Sequence, residues 1–278
     1  MVKEKRKSKI IIIALLILFV ILAFYNGLVV RKYTIETDKL LDGATIRIVL
    51  ISDLHSHIYG KDQGKIAKKI KDQNPDIIAL AGDIADDLVP IHGTKLFLSA
   101  IEHIAPIYYV TGNHEIWTRD VANIKEIFNS FNVKVLENNY EEISINGMKL
   151  VMAGVDDPDI IRYERPKSNW YEEIERDFSD VRNLEGYKIL LSHRPELVGS
   201  YKTLPFDMVL SGHSHGGQVR IPFILNGLLA PNQGLFPKYA GGVYEHESYT
   251  HIVSRGVSFN PRLPRIFNPP EIVVIDIK

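Results

Sequence analysis

The sequence predicts an α/β layered fold preceded by one apolar helix of membrane-spanning length. Three observations carry this. In the first half, short β-branched runs bounded by Gly, Asp, Asn or Pro alternate with amphipathic stretches. The second half is richer in strand-like runs, which still suits a layered α/β architecture. At the N-terminus an unbroken apolar run follows a basic prefix.

Residues 10–25 (IIIIALLILFVILAFY) form that run, and Leu28, Val29 and Val30 extend it past Asn26-Gly27. As a helix, 21 residues reach about 31 Å, against a hydrocarbon core of about 30 Å. Lys3, Lys5, Arg6, Lys7 and Lys9 precede it and only Arg31 and Lys32 follow, which places the N-terminus in the cytoplasm. The expected organisation is a cytoplasmic tail (1–9), a single-pass anchor in the cell membrane (10–30), a linker (31–45) and an extracytoplasmic domain (46–278). A cleaved signal peptide fits less well. Its apolar region usually has about 7–15 residues, and Phe24 and Tyr25 stand where small residues are needed.

Strands are expected over residues 46–52, 77–81, 107–111, 133–136, 149–155, 188–192, 207–211 and 271–277. Residues 143–145 and 149–153 flank Asn146-Gly147, a dipeptide that supplies the positive φ angles of a hairpin turn. Helices are expected over 63–73, 95–103 and 120–131. In the last, Val121, Ile124, Ile127, Phe128 and Phe131 share one face.

Composition narrows the function. With 45% hydrophobic and 24% charged residues the chain is not disordered. The absence of Cys excludes disulfides, iron–sulfur clusters, thiolate zinc and thiol nucleophiles. The near-neutral total hides an asymmetry. Residues 1–32 carry seven basic groups against Glu4, leaving 26 basic and 33 acidic groups for the rest. So acidic a body is a poor binder of nucleic acid, and any phosphate it handles needs local positive charge such as a metal.

Five expected strands end alike, in metal-capable residues: ISDLH (Asp53, His55), ALAGD (Asp83), YVTGNHE (Asn113, His114, Glu115), LLSH (His193) and VLSGHSH (His213, His215). Strand C-termini are where sites assemble in α/β sheets. Asp53/His55 and His213/His215 are i, i+2 pairs that share a face on extended backbone. Asn113 and His114 are consecutive, so one can bind metal while the other faces substrate. Gly82, Gly112 and Gly212 each precede a ligand candidate and suit backbone that a Cβ would obstruct. His57, His92, His103, His246 and His251 have no partner at ligand spacing and are assigned structural roles. Oxygen and imidazole donors without sulfur suit Mn²⁺, Fe²⁺ or Zn²⁺. Asp53, His55, Asp83, Asn113, His193, His213 and His215 are too many for one tetrahedral zinc, whereas two ions sharing a carboxylate fit the count.

The order Asp-x-His, Gly-Asp, Gly-Asn-His-Glu, His, Gly-His-x-His resembles the calcineurin-like metallophosphoesterase superfamily. LSHRPE (191–196), GHSHGGQVRIP (212–222) and RIFNPPEI (265–272) are similar to its bacterial, often membrane-associated branch of YkuE- and YaeI-like phosphodiesterases, with more distant kinship to UDP-diacylglucosamine pyrophosphohydrolases. The resemblance runs from about residue 46 to the C-terminus. It implies an αββα sandwich of two mixed sheets flanked by helices, with the site at the strand ends. It further implies one ion on Asp53, His55 and His215, another on Asn113, His193 and His213, Asp83 bridging them, and His114 as catalytic acid. Where many relatives carry Gly-Asn-His-Asp, this chain has Glu115, whose longer arm puts a dyad with His114 in doubt.

The expected activity is hydrolysis of a small or lipid-linked phosphoester by a hydroxide bridging two divalent ions. The alternatives are a membrane-tethered, non-catalytic receptor for phosphate ligands and a phosphoprotein phosphatase. Arg194, beside His193, is a weak candidate for substrate contact, a helix-start salt bridge being its other reading. Residues 222–245 carry Phe223, Ile224, Leu225, Leu228, Leu229, Leu235 and Phe236. They either close the core beneath a long loop, the commoner outcome, or form a membrane-facing lip. Nothing in the sequence sets the oligomeric state.

Overall fold

A computed structural model of the chain describes residues 2–40, 43–258 and 263–278. In chain order the first seven strands are β1 (Val29–Ile35), β2 (Ile46–Ile51), β3 (Ile77–Ala81), β4 (Ile107–Val110), β5 (Val133–Val135), β6 (Asn139–Ile145) and β7 (Met148–Gly154). The rest are β8 (Tyr187–Leu191), β9 (Met208–Ser211), β10 (Leu229–Ala230), β11 (Gly234–Leu235), β12 (Gly242–Glu245), β13 (Thr250–Val253) and β14 (Glu271–Ile277). One six-stranded sheet has the order β1-β14-β2-β3-β4-β5, another β12-β13-β9-β8-β7-β6, and β10-β11 is a small ribbon. Both large sheets are mixed. β2 to β5 run parallel, as do β7, β8, β9 and β13.

Alternation along the strands builds the layers. Ile48 and Leu50 of β2 meet Met152, Leu191 and Leu210 of the facing sheet. Val49 and Ile51 point the other way, toward helices α2 (Gly64–Lys71), α3 (His92–Ile101) and α4 (Val121–Ser130), which contribute Ile66, Phe97, Leu98, Ile124 and Phe128. On the far side, Val151 and Leu190 pack beneath Trp170 and Ile174. The result is an α/β fold of two mixed sheets with helices on both outer faces. Burial on both faces is why these strands read as continuous apolar runs. Each fully buried Ile or Leu contributes about 1.5–3 kcal/mol.

The Asn146-Gly147 turn joins β6 to β7 with both residues at positive φ, 52° and 80°, as a two-residue hairpin requires. Three strands of the two large sheets were not anticipated, nor was the β10-β11 ribbon. β1 carries Arg31 and Lys32 and pairs in parallel with β14, at the far end of the chain. β12 and β13 are four residues each and mix polar with apolar positions.

The N-terminal helix α1 (Val2–Ala23) departs from the expected helical anchor over 10–30. It stops at Ala23, whose carbonyl accepts from Phe267 N at 2.7 Å, and Val29 and Val30 enter β1 instead. The physical reason is the Asn26-Gly27 break followed by β-branched residues that find a strand partner. Residues 31–35 of the expected linker are therefore sheet. The apolar part of α1, Ile10 to Ala23, is about 21 Å long at 1.5 Å per residue. Among the described residues, no helix is long and apolar enough to cross a membrane.

Residues 222–245 do not close the core as expected. Phe223, Ile224, Leu229, Leu235 and Phe236 are exposed.

Candidate metal centre

Because β2, β3 and β4 run parallel in one sheet, and β8 and β9 in the other, their C-terminal ends face one edge of the sandwich. The segments that follow carry Asp53 and His55, Asp83, Asn113 and His114 (the first two residues of a short helix, Asn113–Trp117), His193, and His213 and His215. Five of these residues (Asp53, His55, Asp83, His213, His215) have φ between 46° and 67°. That conformation costs a non-Gly residue of order 1–3 kcal/mol and persists where surrounding contacts over-determine it. Gly82 (φ 80°) enters the same kind of turn, and a Cβ there would lie 2.5 Å from His193 Nδ1. At Gly112 the constraint is crowding, since a Cβ would collide with Asp83 Oδ1.

The donor atoms form two groups around one carboxylate. Asp53, His55 and His215 converge, with His215 Nε2 at 3.6 Å from Asp53 Oδ1. Asp83, His193 and His213 converge beside them, with His193 Nε2 at 3.1 Å from Asp83 Oδ2 and 3.2 Å from His213 Nδ1. Asp83 Oδ2 also lies 3.8 Å from His55 Nε2, so it stands between the groups. Its other oxygen accepts from the His114 backbone N–H at 2.9 Å. Asn113 Oδ1 is buried with no hydrogen-bond partner.

The outward nitrogens of three imidazoles each meet an oxygen acceptor. His55 Nδ1 is 2.9 Å from Asp86 Oδ2, His193 Nδ1 is 2.8 Å from Ala81 O, and His213 Nε2 is 2.8 Å from Asn232 Oδ1. Donating to these acceptors leaves a lone pair on the inward nitrogen, as in metal-ligating histidines.

Electrostatics agree with a site built for positive charge. Burial pushes the Asp53 carboxyl up, only partly offset by His193. Burial also opposes ionisation of Asp83, but His193, His55 and His114 overcome it and hold the carboxyl well below its usual range. Burial disfavours the His193 cation, yet Asp83, Asp53 and Asp157 raise it to about 10. His213 is drawn down to about 3 by burial and by the His193 cation beside it. The cluster thus favours a cation at one point among carboxylates and keeps the His213 and His215 imidazoles neutral. Together with the orphaned Asn113 oxygen, this donor set fits divalent metal.

His114 sits at the rim, its Nδ1 2.6 Å from Asp87 Oδ1 and 3.4 Å from Asp86 Oδ2. Glu115 is not its partner. Buried, it accepts from the backbone N–H groups of Asp83, Ala85 and Gly112 at 2.8–2.9 Å and so ties two loops together. Burial, and then Asp83, push its carboxyl up to about 7. For Arg194 the salt bridge at a helix start is formed: it is held in a bidentate pair with Asp157 (2.7 and 2.9 Å) and reaches Asp159 at 3.2 Å.

Sequence reasoning missed Asp86, Asp87, Asn232 and Arg265. The first two were signalled by the acidic run Asp83-Ile84-Ala85-Asp86-Asp87, and Arg265 opens a segment read only for its likeness. Arg265 is buried, donates to Arg255 O at 2.6 Å and comes within 3.4 Å of His215 Nδ1. Nothing local marked Asn232. Of the histidines given structural roles, His251 is buried against Ser211 Oγ at 3.0 Å.

The calcineurin-like phosphoesterase family profile matches residues 46–217. A putative metallophosphoesterase of Caenorhabditis elegans is 32% identical over 95% of this chain and 56% of its own length. The chain thus spans little more than half of that relative. An uncharacterized metallophosphoesterase of Aquifex aeolicus is 30% identical over 90% of this chain and 91% of its own. For YkuE of Bacillus subtilis the values are 29%, 89% and 84%. Among solved structures, a dimetal phosphatase from Danio rerio shares the fold with TM-score 0.52 at 11% identity, covering 80% of this chain and 90% of its own. The strand-end donors, the family profile and these relatives agree: the chain belongs to the calcineurin-like metallophosphoesterases, in the branch that includes YkuE.

Proposed function

We propose that the chain hydrolyses a small or lipid-linked phosphoester at a dinuclear centre. Asp53, His55 and His215 would hold one ion, Asn113, His193 and His213 the other, and Asp83 both. The observation that carries this reading is the Asp83 carboxylate standing between two imidazole groups, 3.8 and 3.1 Å from their nearest nitrogens. When bound, a pair of divalent cations neutralises phosphoryl oxygens and acidifies water. Mn²⁺, Fe²⁺ or Zn²⁺ suits these donors.

The remaining work falls to the protein. Asp87 accepts from His114 Nδ1 and orients the ring, leaving Nε2 to pass a proton to the departing oxygen. Asp86, Ala81 O and Asn232 keep His55, His193 and His213 in the ligating tautomer. Glu115 fixes the loops that carry Asp83 and Asn113. A carboxylate-oriented imidazole beside the cluster favours an enzyme over a phosphate receptor, because binding alone requires no proton donor.

Membrane attachment through the apolar surface of α1 belongs to the same proposal. Ile10 to Leu22 are exposed all around the helix, and Phe24 and Tyr25 continue the exposed surface. Lipid is the environment in which such a surface is stable.

The test is hydrolysis of bis-p-nitrophenyl phosphate, p-nitrophenyl phosphate and a pyrophosphate diester with added Mn²⁺, metal content being measured alongside. Turnover abolished by chelator and about two ions per chain are expected. Fewer than one retained equivalent sinks the dinuclear reading. A strong preference for phosphoprotein substrate would favour a protein phosphatase instead.

A further inference from the structure

A cavity of about 560 Å³ lies beside the metal cluster, between β1 and the loop after β9. Arg31, Arg220 and Arg255 line it, together with Phe223, Ile224 and Phe267. Among the described residues, one carboxylate answers two of the three guanidinium groups. Glu271, fully buried, pairs with Arg31 Nε at 2.8 Å and with Arg255 Nε at 3.4 Å. Arg220 has no carboxylate in ion-pair contact among the described residues. It donates to Asn226 Oδ1 and reaches Gly216 O at 3.5 Å. The pocket therefore carries a surplus of two positive charges.

Two further observations point to an anionic occupant. Arg255 is only 7% exposed, and its buried Nε makes no hydrogen bond. Burial, and then the facing Arg255 cation, draw the Arg220 guanidinium down to about 10, the mark of like charges held together without enough counter-charge. An anion at the mouth relieves both.

The surroundings identify the kind of anion. Phe223 is fully exposed and Ile224 largely so, although both border a charged pocket. Phe267, which also lines the cavity, packs edge-on against Phe19 of α1 at 5.2 Å, and its N–H caps the helix at Ala23. The cavity thus opens where the apolar helix meets the body. Apolar side chains around a cationic pocket match a molecule with a phosphate head and acyl tails.

We propose that this cavity is a docking subsite for the headgroup of an anionic phospholipid, held by Arg31, Arg220 and Arg255, with Phe223 and Ile224 against its acyl chains. The inference rests on membrane attachment through α1. It deepens the proposed function, because a lipid held here brings the bilayer surface to the edge of the metal cluster through Gly216 and Arg265.

Native mass spectrometry of the metal-loaded full chain, released from maltoside micelles, measures binding of dioctanoyl phosphatidylglycerol, dioctanoyl phosphatidylcholine and glycerol 3-phosphate. The anionic lipid is expected to bind at least about tenfold more tightly than the zwitterionic one, as charge-assisted bonds to guanidinium predict. Arg220→Gln, and independently Arg31→Gln on the exposed edge strand, should each remove most of that preference. Phe223→Ser should weaken both lipids alike. Equal binding of the two lipids, or an anionic preference untouched by both arginine variants, overturns the subsite. Glycerol 3-phosphate binding as tightly as the lipid would show a soluble phosphate site instead and also overturns it. Flotation with neutral phosphatidylcholine vesicles tests attachment separately. Attachment without anionic preference overturns the subsite alone, and lack of attachment overturns both.

Discussion

Replacing Asp87 with alanine asks whether His114 donates a proton under the control of a carboxylate. Asp87 Oδ1 lies 2.6 Å from His114 Nδ1, and Asp86 Oδ2 lies 3.4 Å from the same atom. A hydrogen bond to a charged group contributes about 1.5–3 kcal/mol, so complete loss of the ring's hold slows turnover about 10–150-fold. Asp86 stays within reach in the variant, which puts the expected loss near tenfold. His114→Ala removes the donor itself and should cost about two to four orders of magnitude. Neither side chain belongs to the two donor groups around Asp53 and Asp83, so metal content should be unchanged in both variants. Asp87 acts only through the ring, so the double variant should be no slower than His114→Ala alone. The assay is steady-state hydrolysis of bis-p-nitrophenyl phosphate with Mn²⁺, paired with metal counting. Losses that multiply in the double variant would separate Asp87 from His114. Loss of metal in His114→Ala would make His114 a ligand within the neighbouring cluster His55, Asp86 and His114, and refute the assignment.

Other outcomes follow from the same geometry. Glu115→Ala leaves three buried N–H groups without an acceptor and should cost about 3 kcal/mol or more in urea unfolding. Glu115→Gln keeps one oxygen for the Asp83 and Gly112 N–H groups and should cost about 1–3 kcal/mol; equal damage from both would show that these bonds are not what the carboxylate supplies. Gly112→Ala places a methyl against Asp83 Oδ1, so metal binding should fail while circular dichroism stays native, and an unchanged metal content contradicts the crowding. His193, raised to about 10, stabilises the metal-free fold fully below the unfolded value near 6.5, and that contribution is lost as pH rises through about 10. Since Nε2 must lose its proton to ligate, affinity should rise with pH up to about 10, about tenfold per unit. Calorimetry in buffers of different ionisation enthalpy should detect the released proton near pH 8, and its absence counts against His193 as a ligand.

Legibility tracked how local each cause is. β2, β3 and β14 are buried on both faces, so their apolar runs marked them almost to the residue. The Asn146-Gly147 hairpin was legible because turn chemistry is carried by two adjacent residues. β1 was not, because it is an edge strand defined by a partner some 240 positions away, and its valines read as the end of an anchor. Within the site, the strand-end donors were visible because ligand chemistry demands particular residue types. Their supports were not, since a carbonyl such as Ala81 O or an amide such as Asn232 serves by position alone.

Glu115 and Arg194 show where sequence-only inference ends. The sequence alone determined which donors the chain can offer, that sulfur is not among them, and that they follow apolar runs, since composition and periodicity are properties of single segments. Only the tertiary structure decided that Glu115 turns inward to bind three backbone N–H groups and that Arg194 is spent on Asp157. It likewise turned Asp87 toward His114 and gathered Arg31, Arg220 and Arg255 around one cavity. Each choice is a competition among groups distant in sequence, resolved by burial and distance, and those quantities exist only once the sheets have packed.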